Sequence, residues 1–193
     1  MLAICLDLEG VLIPEIWINV AERTGITALT STTRDEPDYD RLMSYRLGIL
    51  DQNDIKMDDI TSTIGSMEPM EGATEFLAYL ESRWPTLILS DTFSQFAKPM
   101  MKKLGNPTLL CHTLVIDETG RIEDWEIRYD DHKRKTVESL IERNYQVIAA
   151  GDSYNDTSML SAASAGILFR PPENVIEEFP QFPVAMDYSG LID

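Results

Sequence analysis

The sequence predicts an α/β chain, a doubly wound parallel sheet with a helical segment inserted after its first strand. Five short runs rich in Leu, Ile, Val and Ala are continuously apolar, which suits strands buried on both faces. Helical patterns alternate with most of them, as in chains that build parallel sheets. Between Pro14 and Pro69 the alternation breaks, with several helical pieces and no strand of comparable apolarity.

In order, the predicted strands are 2–6, 86–90, 109–113, 146–150 and 165–169. The crossover helices show apolar residues on one face: Phe76, Leu77 and Leu80, then Phe96, Met100 and Leu104, then Val137, Leu140 and Ile141. The inserted stretch reads as helices over 16–24, 39–51 and 56–65, joined by polar segments such as 30–38. A long connection of this kind is usually functional, and we expect a lid over the sheet. Residues 1–13 and 70–193 then form the catalytic core and 14–69 the cap. Residues 114–116 and 121–128 flank Asp117-Glu118-Thr119-Gly120 as a hairpin, to which no catalytic role is assigned.

At 193 residues the chain suits one core domain with an inserted subdomain. A formal net charge of −17 argues against nucleic acid, whose phosphates need clustered Lys and Arg. No apolar stretch of about 18 residues is present, so no membrane span is expected. The N-terminus starts on a strand-like segment with acids close behind, unlike a secretory signal. Cys5 and Cys111 each sit in an apolar run and read as buried reduced thiols, which implies a cytoplasmic protein. His112, in an apolar strand, and His132, in a polar loop, lack a second ligand at a sensible spacing and read as structural.

The chemistry is carried by acids at strand ends. The first strand stops at Asp7-Leu8-Glu9-Gly10, and the fourth runs into Gly151-Asp152-Ser153-Tyr154-Asn155-Asp156. Carboxylates there are expensive to desolvate unless paired or metal-bound. Ligands of doubly wound sheets bind beyond the carboxyl ends of the strands. Two acid clusters at such ends therefore suggest one shared site for a divalent cation.

Four segments in this order resemble the haloacid dehalogenase superfamily. They are Leu6-Asp7-Leu8-Glu9-Gly10-Val11-Leu12, Leu89-Ser90-Asp91-Thr92-Phe93, the cluster Lys133-Arg134-Lys135, and Ala149-Ala150-Gly151-Asp152-Ser153-Tyr154-Asn155-Asp156. Within it the chain looks most like the phosphoserine phosphatase group, in particular its bifunctional phosphoserine phosphatase/homoserine phosphotransferase branch. The resemblance implies a Rossmann-like parallel sheet with an inserted helical cap. It also implies a cytoplasmic Mg²⁺-dependent phosphatase of serine and threonine biosynthesis. O-phosphoserine is the implied substrate and homoserine a possible acceptor; the oligomeric state stays open.

Phosphate monoesters hydrolyse extremely slowly unaided, and a covalent intermediate splits the reaction. By resemblance, Asp7 is the nucleophile and Glu9 the acid/base. Asp7, Asp152 and the carbonyl of Glu9 hold Mg²⁺, with Asp156 in or near the shell. Ser90 donates to the phosphoryl group, and Lys133, chosen over Lys135, adds positive charge. A solvated charge run accounts for the other two basic residues. Asn155 orients the substrate or Asp152. Glu15 and Arg46 match the cap residues that engage an amino acid's ammonium and carboxylate.

Two departures stand out. The superfamily's usual second Asp is Glu9 here, one methylene longer, and Asp91-Thr92 follow Ser90 where phosphoserine phosphatases usually have glycines. Both changes could favour an alcohol over water at the aspartyl-phosphate, with Asp91 expected to help hold an amino group. The alternatives are a phosphatase or phosphomutase for another small metabolite, opposed by Glu15 and Arg46, and a catalytically dead binding protein, opposed by the intact set. A dehalogenase would need neither the fourth acidic motif nor a metal.

Overall fold

The computed structural model describes residues 1–32, 35–36 and 38–192. Its elements run β1 (Leu2–Leu6), α1 (Ile16–Thr24), α2 (Tyr39–Gln52), α3 (Met57–Gly65), α4 (Ala73–Glu81), β2 (Thr86–Phe93), α5 (Ser94–Lys103), β3 (Leu109–Ile116) and β4 (Ile122–Glu126). They continue with α6 (His132–Glu142), β5 (Gln146–Gly151), α7 (Thr157–Ala162), β6 (Ala165–Phe169), α8 (Glu173–Glu178), β7 (Val184–Ala185) and α9 (Tyr188–Ile192). The strands form one seven-stranded sheet among the described residues, ordered β4-β3-β2-β1-β5-β6-β7. Every neighbouring pair is parallel except β3 with β4.

Burial on both faces explains the continuous apolar runs. In β1, Ile4 and Leu6 enter one apolar cluster and Cys5 the other, across the sheet. The chain leaves β1 toward β2 and β3, then resumes at β5 on the other side of β1. The winding therefore reverses between β1 and β5, where such sheets open a ligand crevice at their carboxyl ends. Leu6 of β1 pairs there with Ala150 of β5, which brings the two acid clusters side by side.

The helices α1, α2 and α3 lie between β1 and β2 in sequence, with no strand among their described residues. Their apolar residues, including Trp17, Val20, Met43, Leu47 and Ile60, share one cluster with Leu6, Ile88 and Phe96. Of the expected polar segment 30–38, Thr33, Arg34 and Pro37 lie outside the described residues.

The predicted hairpin is not separate from the sheet. The third strand continues through it, so β3 pairs in parallel with β2 and antiparallel with β4. Its turn also grips the inserted helices. Met57 N–H donates to the Gly120 carbonyl (2.8 Å), and Arg121 makes a two-point bond to Asp51 (2.8 and 2.7 Å). One expectation of burial fails, since Cys111 is only half-buried; on the α6 stripe Val137 is buried while Ile141 is 37% exposed. The strand β2 runs past Ser90 to Phe93, with a register irregularity against β3 between Leu89 and Phe93.

A tight crossing fixes α7 on β6. A Cβ added at Gly166 would lie 2.4 Å from the Leu160 carbonyl oxygen, backbone that cannot swing away. Gly166→Ala is expected to destabilise the fold by about 1–3 kcal/mol, the usual scale of overpacking. Urea unfolding measures it, and an unchanged midpoint would show that α7 and β6 can separate freely.

Candidate active site

The site begins where β1 stops. Asp7 N–H donates to the Ala150 carbonyl (2.9 Å), carrying the β1–β5 ladder one residue past the strand. The chain then doubles back, with the Leu8 carbonyl accepting from Leu12 N–H (2.8 Å) and Ile13 N–H (3.0 Å). Gly10 at the bend has φ +77°, and a Cβ there would sit 2.5 Å from the Asp152 carboxylate. Glycine is needed both for the backbone and for the close approach of Asp152.

Lys133 reaches the same point from α6. Asp131, with φ +51°, opens that helix and is held by Arg134 and by the Ser158 hydroxyl (3.0 Å). Two residues later the Lys133 side chain, 3% exposed, donates to Asp7 Oδ1 and Asp156 Oδ1 (both 2.8 Å). The other Asp156 oxygen accepts from the amides of Asp152 (3.0 Å) and Ser153 (3.2 Å). Lys135 instead lies at the surface, 3.9 Å from Asp130.

These groups are unbalanced in charge. Burial and the negative charges of Asp156 and Asp152 push the Asp7 carboxyl well above its ordinary range, with Lys133 pulling it down. Burial works against the Lys133 ammonium, yet Asp156, Asp7 and Asp91 outweigh it and raise it well above its usual value. One lysine thus faces several buried acids. One oxygen from each of Asp7, Asp152 and Asp156 lies within 4.8 Å of the others, a set of hard donors that fits a divalent cation such as Mg²⁺.

Around this centre lies a cleft of about 150 Å³, room for a small molecule. Its walls include Glu9, Glu15, Arg46, Ser90 and Asn155. The Ser90 side chain is buried, its hydroxyl accepting from Thr92 N–H (3.2 Å). Glu9 accepts from Ile16 N–H (2.8 Å) at the start of α1. Burial, then the charge of Glu15, pushes its carboxyl up to about 7, against the pull of Ile16 N–H, Thr92 and Arg46.

Arg46 is a buried cation in the cleft wall. Its guanidinium lies 4.5 Å from the Trp17 ring centre, and one terminal nitrogen donates to the Ser31 carbonyl (2.8 Å). The Nε has no partner among the described residues. Burial lowers Arg46 to about 10. A buried guanidinium with an unused donor is costly until an anion arrives.

Every residue read from the sequence as a catalytic, substrate or metal residue thus borders one cleft or its acid cluster, Lys135 excepted. Sequence reasoning missed Trp17 under Arg46 and Tyr39, whose hydroxyl donates to the Asp91 carbonyl (3.1 Å). The histidines, read from the sequence as structural and without a second ligand at a sensible spacing, nonetheless meet one carboxylate. Buried His132 and His112 place Nε2 at 3.1 and 3.6 Å from Asp91 Oδ1. They come from different elements, so no local spacing in the sequence could signal their meeting.

A Rossmann-like sheet with an Asp at the end of its first strand, a buried lysine and an acid cluster at the switch point is the architecture of one class of hydrolase. The chain belongs to the haloacid dehalogenase-like hydrolases, whose family pattern matches residues 1–164. It is 57% identical to the phosphoserine phosphatase ThrH of Pseudomonas aeruginosa over 187 residues, 97% of this chain and 91% of that protein. It is 55% identical to a phosphoserine phosphatase of Pseudomonas syringae pv. tomato, covering 97% of this chain and 79% of that one. In fold it resembles a substrate-bound phosphoserine phosphatase complex, with TM-score 0.79 and 19% identity over 98% of this chain and 96% of the other.

The Gly10 contact makes a direct prediction. In Gly10→Ala the added methyl displaces Asp152, so Mg²⁺ affinity should fall roughly tenfold or more while the circular dichroism stays native. Titration calorimetry with Mg²⁺ reads the loss, and unaltered affinity would remove Asp152 from the cation site.

Proposed function

We propose that the protein is a Mg²⁺-dependent phosphatase for O-phospho-L-serine, able also to pass the phosphoryl group to L-homoserine. The observation that carries the substrate class is Arg46, buried in the cleft with an Nε that has no partner and no carboxylate bonded to its guanidinium among the described residues. A substrate carboxylate answers that need, and Glu15 on the same cleft offers a charge for the ammonium. Likeness to two curated phosphoserine phosphatases supports the same substrate.

The chemistry follows from the residues in place. An Asp7 carboxylate oxygen attacks phosphorus, the ester P–O bond breaks, and the leaving serine oxygen takes a proton from Glu9. A carboxyl raised to about 7 keeps that proton available near neutrality. Glu9, now a carboxylate, then takes a proton from water or from the homoserine hydroxyl as that oxygen attacks phosphorus and frees Asp7. Ser90 and Lys133 hold the phosphoryl oxygens and their charge. Asp7, Asp152 and the Glu9 carbonyl, beside Asp156, would hold Mg²⁺, whose charge would offset the repulsion between the carboxylate and the phosphate ester. We read α1, α2 and α3 as the cap that selects the amino acid, and the one-methylene reach of Glu9 as what admits an alcohol.

Incubation with phosphoserine and Mg²⁺, with and without homoserine, should release phosphate in the first case and also yield O-phosphohomoserine in the second. Hydrolysis of other small phosphate esters but not phosphoserine would favour the alternative metabolite reading. Asp7→Asn should abolish both reactions with the fold intact, and residual turnover would remove the nucleophile assignment. Excess EDTA should silence the enzyme reversibly. Arg46→Ala should cost about 2–5 kcal/mol of phosphoserine binding, a KM rise of roughly 30-fold or more, because a desolvated charge contact is lost. An unchanged KM would leave the carboxylate without its partner.

A further inference from the structure

Asp91 occupies an unusual position for a carboxylate at the mouth of a phosphate site. Both of its oxygens are engaged by the protein. His132 Nε2 meets Oδ1 at 3.1 Å, and His112 Nε2 approaches the same atom at 3.6 Å. Asn155 Nδ2 donates to Oδ2 (2.8 Å), and Lys133 Nζ lies 3.3 Å from it. These donors come from β3, from α6 and from the turn after β5. They hold the Asp91 carboxyl well below its ordinary range despite burial, which acts the other way.

The proton positions follow from the partners. His112 Nδ1 accepts from the Arg128 backbone N–H (3.2 Å), so its ring proton must sit on Nε2, the nitrogen that faces Asp91. Facing the same carboxylate, His132 Nε2 is likewise a donor, while its buried Nδ1 has no partner among the described residues. This arrangement also argues against a metal ion held by Asp91, His112 and His132. Such an ion needs bare Nε2 atoms and an acceptor for each Nδ1–H, and His112 Nδ1 is met by a donor instead.

The geometry points to His132, supported by His112, as a positioning residue for phosphoryl transfer that acts through Asp91. Lys133 is shared by three carboxylates, Asp7, Asp156 and Asp91. The two histidines draw the Asp91 charge toward Oδ1, away from the lysine. Asp91 therefore stays 3.3 Å from Nζ while Asp7 and Asp156 sit at 2.8 Å. Lys133 is kept aimed at the nucleophile, and Asn155 is held on the cleft wall. The carboxylate engaged in this way braces the phosphate site and does not serve as the amino-group contact. The inference rests on Lys133 as the cation that neutralises the phosphoryl group, and not on which ester is the natural substrate.

Two measurements test it. The chain holds only two histidines, so a long-range ¹H–¹⁵N spectrum of the wild-type protein reads both tautomers directly. Both should carry the proton on Nε2, and an Nδ1–H tautomer for either would overturn the clamp. In kinetics with p-nitrophenyl phosphate as well as phosphoserine, His132→Leu should lower kcat roughly tenfold or more with little change in KM, as misaimed catalytic groups do. His132→Gln, whose amide nitrogen reaches the place of Nε2, should restore most of it. Equal loss in both variants would mean a packing role, and full activity in His132→Leu would remove the role altogether. Activity on p-nitrophenyl phosphate but not phosphoserine would sink the substrate reading while leaving the clamp to stand or fall on these variants.

Discussion

A single ammonium group answers a buried concentration of negative charge, and most of the site is arranged around that imbalance. Asp7 and Asp152 meet because β1 and β5 are neighbours in register at the point where the sheet reverses its winding. Lys133 bonds to Asp7 and Asp156, but one positive charge does not balance the acids packed around it. A cluster of this kind would drive the carboxyls toward their neutral forms in isolation. On the proposed mechanism it would become workable chemistry once a divalent cation and the phosphoryl group entered together, because the added positive charge would let an anionic carboxylate approach an anionic ester.

The same constraint decides which backbone features are indispensable. Gly10 and Gly151 both admit carboxylates that any side chain would displace, with built Cβ atoms 2.5 Å from Asp152 and 2.4 Å from Asp156. The amides of Asp152 and Ser153 bond to Asp156, so the turn after β5 supplies dipoles to an acid that the lysine alone must otherwise hold. Farther out, Tyr188 stacks between Phe76 and Phe169 and donates its hydroxyl to the Val11 carbonyl (2.7 Å). The helix α9 thereby pins the loop that follows Asp7.

What could be read from the sequence was what is local. Asp7, Glu9, Asp152 and Asp156 stand out because a continuously apolar strand ends in acids, a pattern with an immediate desolvation cost. The parallel sheet was legible for a similar reason, since burial on both faces leaves no polar alternation. The joining of β3 to β4 was not, because polar His112 and Thr113 interrupt the apolar run just before the hairpin residues Leu114–Ile116. Nor was the meeting of His112 and His132 at Asp91, which depends on β3 and α6 arriving at one atom. Arg46 could be matched to a role by resemblance, but its stacking on Trp17 and its unused donor belong to tertiary structure alone.

Glu9 ties these levels together. Its carboxylate accepts the Ile16 N–H, the first amide of α1, so the proposed acid/base is bonded to the opening turn of α1. An aspartate at this place would fall short by one carbon–carbon bond, about 1.5 Å, and would lose that contact without a shift of α1. The next residue back along the helix entry is Glu15, whose charge helps raise the Glu9 carboxyl. Trp17, one residue into α1, carries the Arg46 guanidinium on its face. Glu15, Ile16 and Trp17 therefore set, in three consecutive positions, a charge on the cleft, the tether of the Glu9 carboxylate and the platform of the buried cation. Any displacement of the start of α1 changes all three at once, so the geometry that would recognise an amino acid and the geometry that would move its proton cannot be adjusted separately.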